Sequence, residues 1–548
     1  MSVPHPLAGR RLAAAAALAL AATVTAGVAS AAGVAPRTDH ALEKVVWGPC
    51  PKYTAEETRQ LPNADWPGFA DELARMECGR LQAPLDWARP GGRKVTLALN
   101  RLRATDQARR IGALAINPGG PGASGWFMPI GLAVKKAVRP LAAWGQVRAR
   151  YDLVGFDPRG VGYSTRLDCP KPKAPAYDPK RTQEQNAHRA RQANADWLAR
   201  CAASDPALAR SLTTETIARD LDAMRAALGE ERLNYLGISW GTRLGAMYRS
   251  MFPKRVGRFV LDSSMWPDFR LDRIGESTTR ATEAQAKRFA AWLARYDRQY
   301  RFGTTSAKVL TEMARIQRTL TEHPAKDRNG RYVTGRDVAG LLGAPSGGWS
   351  FWASILGDFR KLAAGTPGPA LDQRVLDVLR APVAFAAPEA HNEALYSAVV
   401  CNEDTSTREF AGYRRWWRQN ADRYPLTGQG WDDYPICAGW PYPAKAYAPT
   451  KAAGPLQLVV HTLETVTPAE ASGQLRQRIG GTLLRLVNDE HGGLLNNSCG
   501  ADKAVVFLTT GRPQTGSCPA GPEPKPAPGA ARRTAPLPSE LPNPRTRW

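Results

Sequence analysis

Five residues, Gly237-Ile238-Ser239-Trp240-Gly241, have the spacing of a nucleophilic serine held in a sharp turn. A short apolar run, Leu233 to Leu236, precedes them and a helix-forming segment follows. In such an elbow the serine takes a strained backbone conformation. The glycines two before and two after leave room for strand and helix to cross, and Oγ projects above a sheet edge. The pentapeptide alone arises by chance. Its place between a strand and a helix makes Ser239 a candidate for acyl transfer.

A serine hydroxyl is a poor nucleophile and needs a base in hydrogen-bond reach. The chain has seven histidines. His5 and His40 lie in the N-terminal lead, and His188, His323 and His391 fall in polar or helical stretches. His461 ends a strand but precedes the acid candidate. The elbow architecture requires the order serine, acid, histidine, with histidine after the final strand. His491, in Asp489-Glu490-His491-Gly492-Gly493, satisfies that order and is expected to be the base. Its orienting acid is expected to be Glu464, after the penultimate strand, with Asp262 as the alternative. Asp489 is too close to His491 in sequence for the role. An oxyanion hole needs two backbone N–H donors. One is expected from Trp240 and the other from Gly120, in the Gly119-Gly120 turn that follows an early strand.

These groups need a scaffold that holds them at one edge. Apolar strands are expected at Val95 to Leu102, Ile111 to Ile116, Tyr151 to Phe156, Leu233 to Leu236 and Arg258 to Asp262. Helical spacing appears between them, as at Ile217, Leu221, Met224 and Leu228. The pattern returns at Leu456 to Val460, at a helix over Pro468 to Ile479, and at Thr482 to Val487. Strands alternating with helices predict an α/β class with a mostly parallel central sheet and helices on both faces. Between 266 and 398 the alternation gives way to amphipathic helices, read as an inserted helical cap. The core is thus expected in two parts, 32–265 and 399–518, followed by a Pro-rich tail over 519–548 expected to be disordered.

Residues 1–31 read as a signal peptide: Arg10-Arg11, an apolar run, then Ala29-Ser30-Ala31. The run is shorter and richer in Ala than a membrane span, so a secreted protein with no integral membrane segment after signal removal is expected. All eight cysteines follow the signal, and export favours disulfides. Pairing sequence neighbours (50–78, 169–201, 401–437, 499–518) is the expectation, because each pair falls within one segment between expected core strands. No two are spaced C-x-x-C, which counts against a zinc site, and no metal or organic cofactor is implied. The net charge of +24 is spread along the chain without a nucleic-acid-binding motif, so no nucleic-acid partner is expected.

The elbow and two further motifs carry a resemblance. Asn117-Pro118-Gly119-Gly120-Pro121-Gly122-Ala123-Ser124-Gly125, Phe156-Asp157-Pro158-Arg159-Gly160-Val161-Gly162-Tyr163-Ser164 and Gly237 to Thr242 stand in the order found in secreted tripeptidyl aminopeptidases and related prolyl aminopeptidases of the α/β-hydrolase superfamily. The chain resembles them from about Trp47 to Cys518. The resemblance implies an α/β-hydrolase fold with a cap, and a serine exopeptidase that acts on peptides with a free N-terminus and releases tripeptides or dipeptides. It also places acidic residues near Val400-Cys401-Asn402-Glu403-Asp404, so Glu403 or Asp404 is a candidate anchor for the substrate amine. One departure stands out: where the family has Leu-Asp-Pro, this chain has Leu463-Glu464-Thr465. The competing expectations are an exported carboxylesterase with the same triad and, from a different class, a catalytically inactive binding protein.

Overall fold

A strand buried on both faces reads as an unbroken apolar run, and in a parallel sheet each such strand must be covered by helices. The computed structural model, which describes residues 44–526 apart from 62, 139, 329, 331, 367–390 and 432–433, shows this arrangement. The strands are β1 (Val46–Gly48), β2 (Glu77–Pro84), β3 (Lys94–Leu102), β4 (Gly112–Asn117), β5 (Tyr151–Asp157), β6 (Leu233–Ile238), β7 (Val256–Asp262), β8 (Ala325–Lys326), β9 (Tyr332–Val333), β10 (Leu456–His461), β11 (Thr482–Leu486) and β12 (Ser517–Cys518). Ten of them form one sheet in the order β1-β2-β3-β5-β4-β6-β7-β10-β11-β12. The β1–β2, β2–β3 and β3–β5 pairs are antiparallel, and every other pair is parallel.

Every residue of β4, β5 and β6 is buried. Period-two alternation divides them between two cores. Ala113, Ala115, Tyr235, Phe259 and Leu261 face one core, which holds Trp197, Leu221, Trp240 and Tyr248. Leu114, Ile116, Leu236, Val260 and Val459 face the other, with Trp144, Val147, Phe507 and Leu508. Strand β2 is not marked by a continuous apolar run, since half-buried Glu77 and exposed Arg80 and Gln82 alternate with its buried residues.

The insertion is helical, with Leu271–Arg295, Ser306–Glu322, Gly335–Leu342 and Trp349–Ala363 around a third core that includes Phe289, Trp292, Trp349 and Phe359. A two-stranded ribbon, β8–β9, joins two of its helices. The expected return to the core at 399 falls inside one continuous helix, Glu393–Glu403. All four disulfides join sequence neighbours: Cys50–Cys78, Cys169–Cys201, Cys401–Cys437 and Cys499–Cys518.

The expectation of disorder from 519 needs correction at its start. Trp292 Nε1 donates to the Pro524 carbonyl (2.8 Å), Ser350 Oγ donates to the Lys525 carbonyl (3.0 Å), and Arg295 pairs with Glu523. The Cys499–Cys518 bridge fixes where this stretch begins, and a buried indole N–H needs an acceptor. The signal reading (1–31), part of the cap (367–390) and the tail from 527 lie outside the described residues. No helix among the described residues is long and apolar enough to cross a membrane.

The loop after β5 is tied down by a fully buried guanidinium. Arg159 forms two 2.6 Å hydrogen bonds to Asp220 and also donates to the Pro84 and Leu85 carbonyls (2.8 and 2.9 Å). Removing one partner of a buried pair leaves the other charge uncompensated. Arg159→Ala is expected to destabilise the fold by about 3–5 kcal/mol, read as a clear fall in the thermal unfolding midpoint.

Candidate active site

Ser239 stands between β6 and the helix Trp240–Met251 with φ 58° and ψ −126°, a conformation that L-residues populate sparsely and that costs about 1–3 kcal/mol. The flanking glycines are required sterically. A Cβ on Gly237 would lie 2.5 Å from the Gly241 carbonyl oxygen, and one on Gly241 would lie 2.8 Å from the carbonyl oxygen of Asn117. Asn117 ends β4 and opens the glycine turn, so the close crossing that makes the elbow also brings that turn against it. Gly119, at φ +99°, has no room for a side chain: a Cβ would meet Ile238 O at 2.5 Å, Ser239 Cβ at 2.8 Å and Trp240 N at 3.0 Å. The Gly119 N–H is committed to Asn117 Oδ1 (3.0 Å). Gly120 and Trp240 are therefore the neighbours whose N–H groups are candidates for an oxyanion.

β7 and β10 lie side by side in parallel, with Val459 opposite Asp262, so the segments that leave their C-terminal ends start together. Glu464 is 2% exposed. Its Oε1 accepts from Thr467 N (2.9 Å), from Thr467 Oγ1 (2.6 Å) and from His491 Nδ1, while Oε2 accepts from Ser263 Oγ (3.0 Å). Burial pushes this carboxyl up, but His491, His461 and the Thr467 hydroxyl outweigh burial and hold it below the usual range. Ser263 also accepts Gly492 N–H (2.8 Å), which ties the histidine loop to the end of β7. A Cβ on Gly492 would lie 2.9 Å from Ile238 Cγ2, so that loop lies against the residue before the serine. Ser239 Oγ is itself buried, with no hydrogen-bond partner among the described residues.

The structure therefore brings together Ser239, His491, Glu464 and the Gly119-Gly120 turn. Asp262 is engaged elsewhere: Oδ1 is 2.8 Å from His461 Nε2 and Oδ2 accepts Leu494 N–H (3.2 Å). Asp489 fastens the histidine loop to the cap, accepting from Gln285 Nε2 (2.7 Å) and from Ser346 N and Oγ (2.9 and 3.0 Å). Sequence reading missed Ser263 and Thr467. Ser263, directly after a strand-terminal Asp, and Thr467, in the Thr-Pro pair behind Glu464, were visible only as loop residues.

The two amine-anchor candidates have different surroundings. Glu403 is 3% exposed and fully engaged, by Arg243 Nε (2.9 Å) and Thr214 N–H (2.6 Å). Its charge joins the helix that follows Ser239 to the end of the Glu393–Glu403 helix. Asp404 accepts from Leu271 N–H (3.0 Å) and from Ser406 N–H and Oγ (3.1 and 2.6 Å), and lines a cavity of about 380 Å³, together with Tyr177, Tyr332, Tyr396, Tyr413 and Trp431. Burial raises the Asp404 carboxyl. Among the described residues, the lining of this cavity includes neither Ser239 nor His491. Glu393, in its lining, directly follows Asn392, whose N–H donates to the Gly122 carbonyl (2.9 Å).

Residues 112–498 match the family described as alpha/beta hydrolase fold. The chain belongs to the α/β-hydrolase family. Within that family it is 33% identical over 479 residues to a tripeptidyl aminopeptidase of Streptomyces lividans, a match covering 83% of this chain and 85% of that protein. It is 37% identical over 235 residues to the serine protease Hip1 of Mycobacterium tuberculosis, covering 41% of this chain and 40% of that one. It is also 28% identical over 523 residues to carboxylesterase B of the same organism, covering 88% and 91%. This α/β-hydrolase is a serine hydrolase, a tripeptidyl aminopeptidase-like peptidase.

Two outcomes follow from the geometry. Gly119→Ala must displace backbone on both sides of the serine, and kcat/KM is expected to fall about 100-fold while circular dichroism shows an intact fold. The second concerns pH. Burial disfavours a charged His461, but Asp262, Glu464 and Asn488 outweigh burial and raise its pKa from 6.5 to about 9. A raised folded-state value means that this contribution to stability is complete below about pH 6.5 and is lost as pH rises through 9. The unfolding midpoint is expected to decline between those limits in the native protein and to lose that component in His461→Gln.

Proposed function

We propose that this protein is an exported serine exopeptidase that releases short peptides from free N-termini through an acyl-enzyme on Ser239. The observation that carries the reading is the pairing of the buried Glu464 with the half-buried His491, whose loop lies against the Ser239 elbow, in a chain related along most of its length to a tripeptidyl aminopeptidase. In this mechanism His491 Nε2 takes the Ser239 proton as Oγ adds to the scissile carbonyl. Glu464 holds Nδ1–H and stabilises the imidazolium that forms. The Gly120 and Trp240 N–H groups bind the tetrahedral oxyanion. The imidazolium returns its proton to the leaving amine, and water then enters with His491 again as base. The serine–histidine hydrogen bond forms as substrate enters, since catalytic contacts are often loose before binding.

Glu464 replaces the aspartate typical of the resemblance. The extra methylene is taken up by folding the side chain back onto Thr467 N and Oγ1, two donors of one residue in its own loop. For the substrate amine we assign Asp404 over Glu403, because Asp404 borders the cavity beside the glycine turn and Glu403 is held by Arg243. The cap closes over that cavity and favours short chains. Four disulfides and the signal-like start support export. The relationship to carboxylesterase B gives the second reading, ester hydrolysis with the same triad.

A library of peptides with free N-termini, digested and analysed by mass spectrometry, is expected to yield di- or tripeptides. N-acetylated counterparts are expected to survive. Ser239→Ala should lower turnover by about 10⁴-fold or more. Fast cleavage of short acyl esters with no amide turnover would sink the peptidase reading. Failure of a fluorophosphonate to label Ser239 in folded protein would favour an inactive binding protein.

A further inference from the structure

A second histidine–carboxylate pair lies behind the first and is not used by the mechanism above. His461 and Asp262 end adjacent parallel strands, and both are 0% exposed. His461 Nε2 is 2.8 Å from Asp262 Oδ1, and Nδ1 is 2.6 Å from Asn488 Oδ1. An ionised carboxylate only accepts, so Nε2 carries a proton. An amide oxygen only accepts, so Nδ1 carries one as well. A ring with both nitrogens facing acceptors is an imidazolium, and a neutral ring would leave one nitrogen lone pair facing a buried oxygen lone pair with no hydrogen between them.

The partners of this cation bracket the candidate base. Asn488 precedes His491 by three residues. Leu494 follows it by three and donates its N–H to Asp262 Oδ2 (3.2 Å). The Asn488 carbonyl accepts Leu463 N–H (3.0 Å), next to Glu464, and the Asp262 carbonyl accepts Ser239 N–H (3.0 Å). One buried ion pair therefore touches the segments that carry all three triad members. We propose that His461 is a positioning residue, a buried imidazolium that grips Asn488 directly and Leu494 through Asp262, and so fixes both ends of the His491 loop.

The inference rests on the triad reading above. It adds that the loop's position and the charge state of its surroundings are set by His461. The titratable groups facing the His461 ring are Asp262 on β7 and Glu464 on the loop after β10, and Glu464 in turn faces His491. The positive charge favours the ionised form of Glu464, so its removal moves the acid limb of activity toward higher pH.

The test has two arms. In ¹⁵N-histidine spectra of the unmodified protein, one ring is expected to keep both nitrogens protonated at pH 7.5, while another titrates with activity. Absence of such a ring, as when the Asn488 amide turns its NH₂ toward a bare Nδ1, overturns the proposal. In His461→Gln, kcat/KM for a tripeptide anilide is expected to fall about tenfold, with the acid limb displaced upward by about one pH unit. The double change His461→Gln/Asp262→Asn restores a neutral donor–acceptor contact and should recover part of the rate without returning the limb. An unmoved limb in a folded His461→Gln enzyme overturns the proposal. Fluorophosphonate labelling of the unmodified protein, compared with His491→Ala, tests the triad separately, so failure of one reading is distinguishable from failure of the other.

Discussion

Taking a carboxylate out of water costs several kcal/mol unless its oxygens are supplied with hydrogens. Glu464 is in that position, and the local structure at the strand ends is organised around supplying them. Thr467 bends its own loop back to give two hydrogens, Ser263 reaches across from the end of the neighbouring strand, and His491 provides the one used in the proposed mechanism. Each donor arrives because β7 and β10 are parallel neighbours in register, so their C-terminal ends are level. The sheet order is in this sense a requirement of one buried charge. A shift of register by one residue would turn Asp262 and His461 to the opposite face and remove the second pair that stands behind the first.

The serine imposes a different constraint, one of space. Strand β6 and the following helix cross so closely that three glycines, Gly119, Gly237 and Gly241, face backbone atoms within 3 Å of any added carbon. This crowding presses the glycine turn after β4 onto the elbow, so Ser239 and the proposed oxyanion donors are assembled by the same packing. Arg243, in the first turn of the same helix, then locks it to Glu403 at the far end of the cap's return helix. The cap is thus joined to the elbow at Arg243 and to the histidine loop at Asp489.

Much of this was legible in the sequence because it is local. An apolar run followed by Gly-x-Ser-x-Gly encodes the elbow within nine residues, and the buried strands β4 to β7 and β10 show as continuous apolar runs. Strand β2 was not legible, since its polar residues break the apolar pattern that the strand needs to be seen. The engagement of Glu403 and Asp262 was also hidden. Their partners, Arg243 and His461, lie 160 and 199 residues away, and a lone carboxylate in a sequence carries no mark of what neutralises it. His461 illustrates the same limit from the other side: its place at a strand end made it a rival base, whereas the fold sets it one layer behind the reacting groups.

The four disulfides close intervals that neither overlap nor nest: 50–78, 169–201, 401–437 and 499–518. A chain that emerges from a pore with its N-terminus first therefore presents each thiol's partner as the very next thiol to appear. Of the roughly one hundred pairings open to eight cysteines, the simplest temporal rule, first with second and third with fourth, already yields the native set. The order of synthesis thus encodes the connectivity before any sheet has formed.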